Sequence, residues 1–325
     1  MADFEMKAQR DAYGEVLAEL GAKYENMYVL DADLTKSTKT ASFAKAYPER
    51  FINCGIAEGN MMAVAAGIAS CGNIVFASSF AMFAAGRAYE QVRNSIAYPH
   101  NNVKVVATHA GLTVGEDGAT HQCLEDMALM RAVPGMVVLA PSDAVQTKAC
   151  IRWAAAYDGP VYVRLGRLPL PITNKEGEYT YTLGQSDRLC DGDFATVMFC
   201  GPFYTLAMQV KDLFAKNGLK VRVVDMPSIK PIDEKEVLAD AKDTGLICTI
   251  EDHNVIGGLA GAVAEAVCCG GETAKLVRIG AQDIFGKSGT PAALLKEYGF
   301  DAVEITKKIL QAKAPEKLSG FDFTL

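Results

Sequence analysis

The chain has 325 residues, of which 50% are hydrophobic and 22% are charged, and its formal net charge is −7 at pH 7. This length and composition are typical of a globular chain with two domains and argue against intrinsic disorder. The negative charge argues against a general nucleic-acid or anionic-membrane binder. A phosphorylated small molecule is compatible with it, because that ligand needs only a local basic pocket.

Short apolar runs rich in Val and Ile alternate with helical patterns along the first part of the chain. Strands are predicted at residues 27–30, 73–77, 103–108, 137–139 and 161–165. Helices are predicted between them at residues 9–24, 58–70, 84–97, 124–132 and 144–156. Because strands and helices alternate, we expect a doubly wound α/β domain with a mostly parallel sheet.

The polar segment 174–187 interrupts this alternation and is interpreted as a linker between domains. Beyond it, strands are predicted at residues 195–200, 220–224, 246–250 and 275–279. Helices are predicted at residues 203–216, 234–242, 258–267 and 291–298. The sequence therefore predicts two doubly wound domains with mostly parallel sheets, at residues 1–175 and 186–325.

The spacing of the cysteines and the lengths of the apolar segments indicate the cellular compartment of the protein. The nine cysteines are scattered without Cys-x-x-Cys spacing, which argues against a disulfide framework and a structural zinc site. The acidic first twenty residues lack the apolar segment of a signal peptide. No run reaches the roughly 18 apolar residues of a membrane span. We therefore expect a cytoplasmic protein with no membrane or nucleic-acid partner.

The densest group of polar residues is the Gly-rich segment 108–122, which reads Thr-His-Ala-Gly-Leu-Thr-Val-Gly-Glu-Asp-Gly-Ala-Thr-His-Gln. It begins where a predicted strand ends, which is where open α/β sheets place their ligands. Glycines allow the backbone to approach a ligand, and the imidazoles of His109 and His121 can contact polar groups. The residues alone also fit a turn-rich surface loop. A metal site is disfavoured because there is no His-Glu-x-x-His motif.

The motif Gly-Glu-Asp-Gly-x-Thr-His-Gln at 115–122, with Thr-His at 108–109, resembles the substrate loop of transketolases. The family usually has proline where Ala119 stands. The resemblance runs through most of residues 5–310 and implies a pyrimidine-binding domain followed by a transketolase C-terminal domain. The activity it implies depends on thiamine diphosphate and belongs to carbohydrate metabolism such as the pentose phosphate pathway. A two-carbon ketol unit would move from a ketose phosphate, such as xylulose 5-phosphate, to an aldose phosphate.

Glu58 lies in the segment Gly-Ile-Ala-Glu-Gly-Asn at 55–60, at the start of a predicted helix that is otherwise almost entirely apolar. An acidic residue at this position is also explained by the helix dipole alone. The resemblance assigns Glu58 to the catalytic glutamate of the family. That carboxyl shares a proton with N1′ of the cofactor's aminopyrimidine ring. Single-chain members typically have Arg where Ala57 stands, so this segment is closer to two-chain transketolases.

Two aromatic residues, Phe80 and Phe83, occupy an apolar stretch where side chains ordinarily belong to the core. The resemblance assigns Phe83 to stacking on the aminopyrimidine ring and Phe80 to a supporting role. The third aromatic residue of that pocket is not matched in register, since Gly86 or Arg87 falls at its position, and Tyr89 is an alternative. Asp33 matches a carboxylate that lies beside the cofactor in the family.

The substrate contacts implied by the resemblance are divided between an anion site and a hydroxyl site. Arg10, Ser37, His109 and Arg167 match positions that bind the sugar phosphate, and Arg164 is a competing candidate for Arg167. Guanidinium groups can hold a phosphate through forked hydrogen bonds. Asp117 would bind a substrate hydroxyl, and His121 would contact hydroxyls near the reacting carbon as a second catalytic residue.

The Gly-Asp-Gly motif with which the family holds Mg²⁺ and the cofactor's diphosphate is not found in the sequence. The nearest string, Asp-Gly-Asp at 191–193, lies in the second predicted domain. No metal ligand is therefore assigned here, and Mg²⁺ is expected to be held by a separate N-terminal diphosphate-binding transketolase subunit. The expected assembly is a heterotetramer, a dimer of heterodimers with active sites between the two kinds of chain.

Other functions remain open. Within the superfamily they are the β subunit of a 2-oxoacid dehydrogenase and a 1-deoxyxylulose-5-phosphate synthase-like enzyme. The two Thr-His pairs count against the first, and the second usually lacks the upstream pair. A non-catalytic binding module is a third. The glycines at 257–258 before a helix are interpreted as helix entry and packing rather than as an anion site, and no catalytic role is implied for the second domain.

Overall fold

The computed structural model describes residues 4–325. Its strands are β1 (Met6–Ala8), β2 (Met27–Asp31), β3 (Phe51–Asn53), β4 (Ile74–Phe80), β5 (Val103–Thr108), β6 (Val137–Leu139), β7 (Val161–Arg164), β8 (Pro169–Pro171), β9 (Asp187–Cys190), β10 (Ala195–Phe199), β11 (Val221–Asp225), β12 (Ser228–Lys230), β13 (Leu246–Asn254) and β14 (Lys275–Ala281).

The α-helices are α1 (Gln9–Lys23), α2 (Thr35–Thr38), α3 (Ala41–Ala46), α4 (Glu58–Ser70), α5 (Tyr89–Gln91), α6 (Asp126–Ala132), α7 (Ala144–Ala156), α8 (Tyr204–Lys216), α9 (Glu234–Thr244), α10 (Leu259–Cys269), α11 (Pro291–Glu297) and α12 (Ala302–Lys313). Two segments, Met82–Arg87 and Val92–Ala97, form the wider turns of a π-helix on either side of α5.

The first sheet has the strand order β12-β6-β7-β5-β4-β2-β3, and every pairing in it is parallel except that of β12 with β6. Helices α1 and α7 cover one face, and α4 and α6 cover the other. Strands β4 and β5 are buried along their whole length. Burial on both faces explains why these strands read as continuous apolar runs rather than as alternating patterns.

The second sheet has the order β14-β13-β10-β11-β9, with β9 antiparallel to β11 and the other pairings parallel. Helices α8 and α12 pack on one face, and α9 and α10 pack on the other. The apolar cluster under α9 and α10 continues into the cluster under α4 and α6. The two sheets therefore share one apolar cluster between them, and the predicted α/β fold with mostly parallel sheets is confirmed.

Several elements differ from the prediction. Strand β12 follows β11 in the chain but pairs with the first sheet, through Ser228 and Leu139. Strand β13 extends to Asn254, beyond the predicted end at residue 250, because β14 continues to pair with it. Helix α12 was not predicted. No helix among residues 4–325 combines the length and apolar character that crossing a membrane requires.

Candidate active site

The candidate site lies where β4 and β5 end, side by side. Phe80 is the last residue of β4 and is paired in register with Thr108, the last residue of β5. His109 follows with a φ of 56°, in the left-handed region, and this turn lays its ring on that of Phe80 at a centroid distance of 3.9 Å and an interplanar angle of 24°. The carboxyl edge of the sheet thus brings an aromatic ring and an imidazole together.

Glu58 begins α4 and is 2% exposed. Arg87, on the first π-helical segment, donates from Nη1 to both carboxylate oxygens of Glu58, at 3.1 Å to Oε1 and 2.9 Å to Oε2. The ring of Phe83 stacks on that of Phe80 at 6.1 Å, and His121 meets Phe83 edge-on at 5.3 Å. Arg87 also lies over the ring of Phe83, at 4.5 Å from its centroid, so a chain of contacts joins the buried carboxylate, the aromatic rings and the imidazole, although these residues come from three separate segments.

A second group surrounds His109. Arg10 donates to the carbonyl of Ser37 at 3.2 Å, and the same Nη1 lies 3.4 Å from Nε2 of His109. Burial, followed by the charges of Arg10 and Arg167, lowers the pKa of His109 to about 3, so the ring is neutral at pH 7. Since a guanidinium can only donate, Nε2 is the acceptor, and Nδ1 carries the proton that faces Thr108 Oγ1 at 3.0 Å.

The remaining predicted residues lie at the rim. Arg167 donates to the carbonyl of Val114 and lies 3.4 Å from Glu116 Oε2, so it is bound to the loop. Asp117 is exposed on the same loop. Asp33 is exposed after β2, with a φ of 63°, and its N–H donates to Asn53.

Arg164, the alternative to Arg167, is buried away from the rim. Its Nε donates to both oxygens of Asp126, at 3.1 and 2.9 Å, and its Nη2 donates to the carbonyl of Asp252. Desolvation favours the neutral form, but the carboxylates of Asp126 and Asp252 outweigh it and raise the pKa of Arg164. This arginine is therefore committed to packing between the two domains.

The loop is held from the second domain by a residue that the sequence analysis left without a role. Asp252, fully buried on β13, accepts from the N–H of Leu112 at 2.7 Å. Its other oxygen accepts from the N–H and hydroxyl of Thr113, at 3.2 and 2.7 Å. Burial raises the pKa of Asp252, while Arg164 and the Thr113 hydroxyl oppose that rise. Gly111 is required beside it, because a Cβ there would come within 2.1 Å of the carboxylate.

The glycines before α10 do not form an open anion site. The carboxylate of Glu251 accepts from the N–H groups of Leu259 at 2.6 Å and of Ala260 at 2.9 Å. Gly258 leaves room for that carboxylate, since a Cβ there would lie 2.0 Å from it. The chain thus supplies its own anion to the helix N-terminus.

A cleft of about 650 Å³ opens beside Phe83 and Arg87. One wall of this cleft is formed by Ala119, Thr120 and Gln122 of the loop 108–122. The opposite wall comes from the second domain and includes the exposed side chains of Ile284 and Phe285, the latter 89% exposed. Among residues 4–325, no group of three or more His, Cys, Asp or Glu side chains is placed to hold a metal ion.

The chain thus has two α/β domains with mostly parallel sheets. The first sheet carries a buried carboxylate, stacked rings and the histidine-containing loop 108–122 at its carboxyl edge. The family model for the transketolase pyrimidine-binding domain matches residues 5–173, and the model for the transketolase C-terminal domain matches residues 184–305. The chain belongs to the transketolase family.

Two relatives and a solved structure make the likeness more specific. A putative transketolase C-terminal section of Methanocaldococcus jannaschii is 52% identical and is covered over 98% of its length, with 95% of this chain aligned. A 6-deoxy-6-sulfo-D-fructose transketolase subunit of a Clostridium species is 38% identical, over 94% of this chain and 95% of the relative. A structure described as a split-gene transketolase, inactive β4 tetramer, superimposes with a TM-score of 0.85 at 46% identity, over 94% of this chain and 97% of the other.

Proposed function

We propose that this chain is the C-terminal subunit of a two-chain transketolase that depends on thiamine diphosphate. It would transfer a two-carbon ketol unit from a ketose phosphate, with xylulose 5-phosphate the first donor to test, to an aldose phosphate. The observation that carries the proposal is the buried carboxylate of Glu58, which is linked through Arg87 to the ring of Phe83, with His121 edge-on to that ring.

The residues of this site fit one half of the cofactor. An aminopyrimidine ring needs a flat apolar surface to stack on, which Phe83 would supply with Phe80 behind it. Glu58 would hold a proton at N1′ of that ring, and its burial keeps bulk water from competing for the proton. Thiamine diphosphate, when bound, supplies the nucleophilic carbon that takes up the two-carbon unit. Asp33 would lie beside the bound cofactor.

The group around His109 would hold the anionic end of the sugar. The buried Nε of Arg10 has no hydrogen-bond acceptor among residues 4–325, and an unpaired buried donor favours the arrival of an anion. Ser37, His109 and Arg167 would complete the anion site. Asp117 and His121 would bind sugar hydroxyls, with His121 near the reacting carbon.

The identity of the donor sugar requires a test with several kinds of sugar. Guanidinium groups bind any tetrahedral oxyanion, and the Clostridium relative is named for a sulfonated sugar. A phosphate or a sulfonate can therefore be accommodated by the same arginines. A panel of sugars bearing phosphate, sulfonate or no anion would identify the donor class.

A separate N-terminal subunit is proposed to supply the Mg²⁺ and diphosphate site. The Methanocaldococcus jannaschii relative is described as a putative transketolase C-terminal section, and the similar solved structure is described as a split-gene transketolase in an inactive β4 tetramer. These descriptions support a partner chain for this protein as well. The proposed assembly contains two copies of each chain.

The proposal is tested by transfer from xylulose 5-phosphate to ribose 5-phosphate, with thiamine diphosphate and Mg²⁺. The chain is assayed alone and after mixing with a purified diphosphate-domain subunit of the same family. We expect no turnover alone and turnover on mixing. Turnover by the chain alone would contradict the need for a partner. No turnover in the mixture with any sugar of the panel would contradict the transketolase activity.

A further inference from the structure

Arg87 occupies an unusual position for a half-exposed arginine. It ends the π-helical segment Met82–Arg87, in which the N–H of Ala88 bonds to the carbonyl of Phe83. A π-helical turn contains one residue more than an α-helical turn and therefore changes which side chain faces a given direction. Here that turn directs Arg87 across to the start of α4.

The guanidinium of Arg87 contacts both groups proposed to hold the aminopyrimidine. Its Cζ lies 4.5 Å from the centroid of the Phe83 ring. Its Nη1 donates to Oε1 and Oε2 of Glu58, at 3.1 and 2.9 Å. Glu58 is 2% exposed and Arg87 is 52% exposed, so a buried carboxylate is held by a side chain that enters from the open cleft.

No aromatic residue matches the third ring of the family's pocket in register, because Gly86 or Arg87 falls at that position. A guanidinium is flat and can stack on a ring as an aromatic side chain does. Unlike a phenylalanine side chain, it can also donate hydrogen bonds to a carboxylate. Arg87 thus combines a wall of the pocket with a contact that fixes the rotamer of Glu58.

We propose that Arg87 takes the place of the third aromatic residue and is a positioning residue for Glu58 in the cofactor site. This inference rests on the proposed function. Removing Arg87 also lowers the stability of the chain, because the buried carboxylate of Glu58 loses its charged partner. The split between kcat and the sugar KM, the cofactor Kd and the recovery with Arg87→Lys therefore separate positioning from packing.

The test uses the complex of this chain with a purified diphosphate-domain subunit of the same family. The variants are Arg87→Met, which keeps the length and loses the donors, and Arg87→Lys, which keeps one cationic donor. Arg93→Met is the matched control, because Arg93 is an exposed arginine on the following helical segment. Binding of thiamine diphosphate in the presence of MgCl₂ is measured by calorimetry, and kcat and the sugar KM are measured separately.

We expect Arg87→Met to lower kcat about 10- to 100-fold, the range for losing a charge-assisted hydrogen bond that supports a catalytic group. The sugar KM stays unchanged, the cofactor Kd rises several-fold, and the unfolding temperature of the chain falls, because the buried carboxylate of Glu58 loses its donors. Arg87→Lys recovers part of kcat. Millimolar guanidinium ion partly restores an Arg87→Ala complex, because the side chain is accessible from the cleft. The Arg93→Met complex behaves like the wild type.

Two results would overturn the inference. If the Arg87→Met complex turns over at the wild-type rate, Arg87 is only an exposed cation. If that complex binds thiamine diphosphate more tightly, Arg87 competes with the cofactor instead of shaping its site. A wild-type complex that binds the cofactor without transferring sugar would refute the proposed activity, while the calorimetric comparison would still decide the role of Arg87.

Discussion

Asp252 connects the second domain to the histidine loop, so replacing it tests whether that domain has a part in the site. Asp252→Asn keeps the size of the side chain but leaves one acceptor oxygen in place of two. In the wild-type chain, the carboxylate of Asp252 accepts hydrogen bonds from the N–H of Leu112 and from the N–H and hydroxyl of Thr113. In the variant, one buried N–H of the loop faces an NH₂ group and loses its partner.

The cost follows from the number of bonds lost. A hydrogen bond to a charged group contributes about 1.5–3 kcal/mol, and a buried donor without a partner costs about 1–3 kcal/mol. These two figures describe overlapping parts of the same loss, so the free energy of unfolding should fall by about 2–4 kcal/mol. Asp283→Asn is the control, because Asp283 is exposed, belongs to the same domain and has a φ of 55°, which Asn also adopts.

Chemical unfolding gives the free energy, and hydrogen exchange measured on peptides covering residues 111–122 gives the local effect. We expect faster exchange in the loop of the Asp252→Asn chain, with the sugar KM of the assembled complex raised more than kcat is lowered. If exchange in the loop and the free energy of unfolding both match those of the Asp283→Asn control, the reasoning from Asp252 is wrong.

Three further predictions concern the site and its pH dependence. Glu58→Ala in the assembled complex should lower turnover by about two to four orders of magnitude, as expected for a catalytic proton carrier, and a near-normal rate would refute its assignment. Arg167→Ala should weaken the use of phosphorylated ketoses far more than that of unphosphorylated ones, whereas equal losses would show that Arg167 does not bind the phosphate. Burial lowers the pKa of His253 to about 4, below about 6.5 in the unfolded chain. The unfolded state therefore takes up the proton first, and the stability contributed by neutral His253 is lost as the pH falls from 6.5 towards 4. This amounts to about 2 kcal/mol by pH 5. His253→Gln should flatten the acid limb of an unfolding series while His100→Gln, at an exposed histidine, leaves it unchanged; equal slopes in wild type and His253→Gln would contradict this.

The elements that the sequence predicted well are those whose signal is local. Strand β5 lies at the residues predicted from its Val-rich run, and α4 and α7 begin and end where their apolar patterns do. Helix α12 carried a local signal that was overlooked, since Asp301 caps it by accepting from the N–H groups of Val303 and Glu304. The residue pattern of a capping Asp followed by an acidic first turn is recognisable from sequence.

The features that could not be predicted depend on residues far apart in the chain. The bond between Asp252 and Leu112 spans 140 residues, and no local pattern indicates which carboxylate would reach the loop. The direction of Arg87 depends on a π-helical turn, and counting at 3.6 residues per turn misplaces every side chain after the extra residue. Very short strands such as β1 and β8 exist only because they pair with each other.

Strand β12 has a consequence for attempts to divide the chain. It follows the third strand of the second half in sequence, yet its residues Ser228 and Lys230 complete the first sheet beside Leu139 and Val138. A fragment ending at residue 175 would leave the backbone groups of β6 unpaired along an apolar edge, which is the kind of edge that recruits other molecules into aggregates. A fragment that contains only the first domain is therefore expected to stay soluble only when residues 228–230 are grafted onto it. Otherwise the first domain has to be studied within the intact chain.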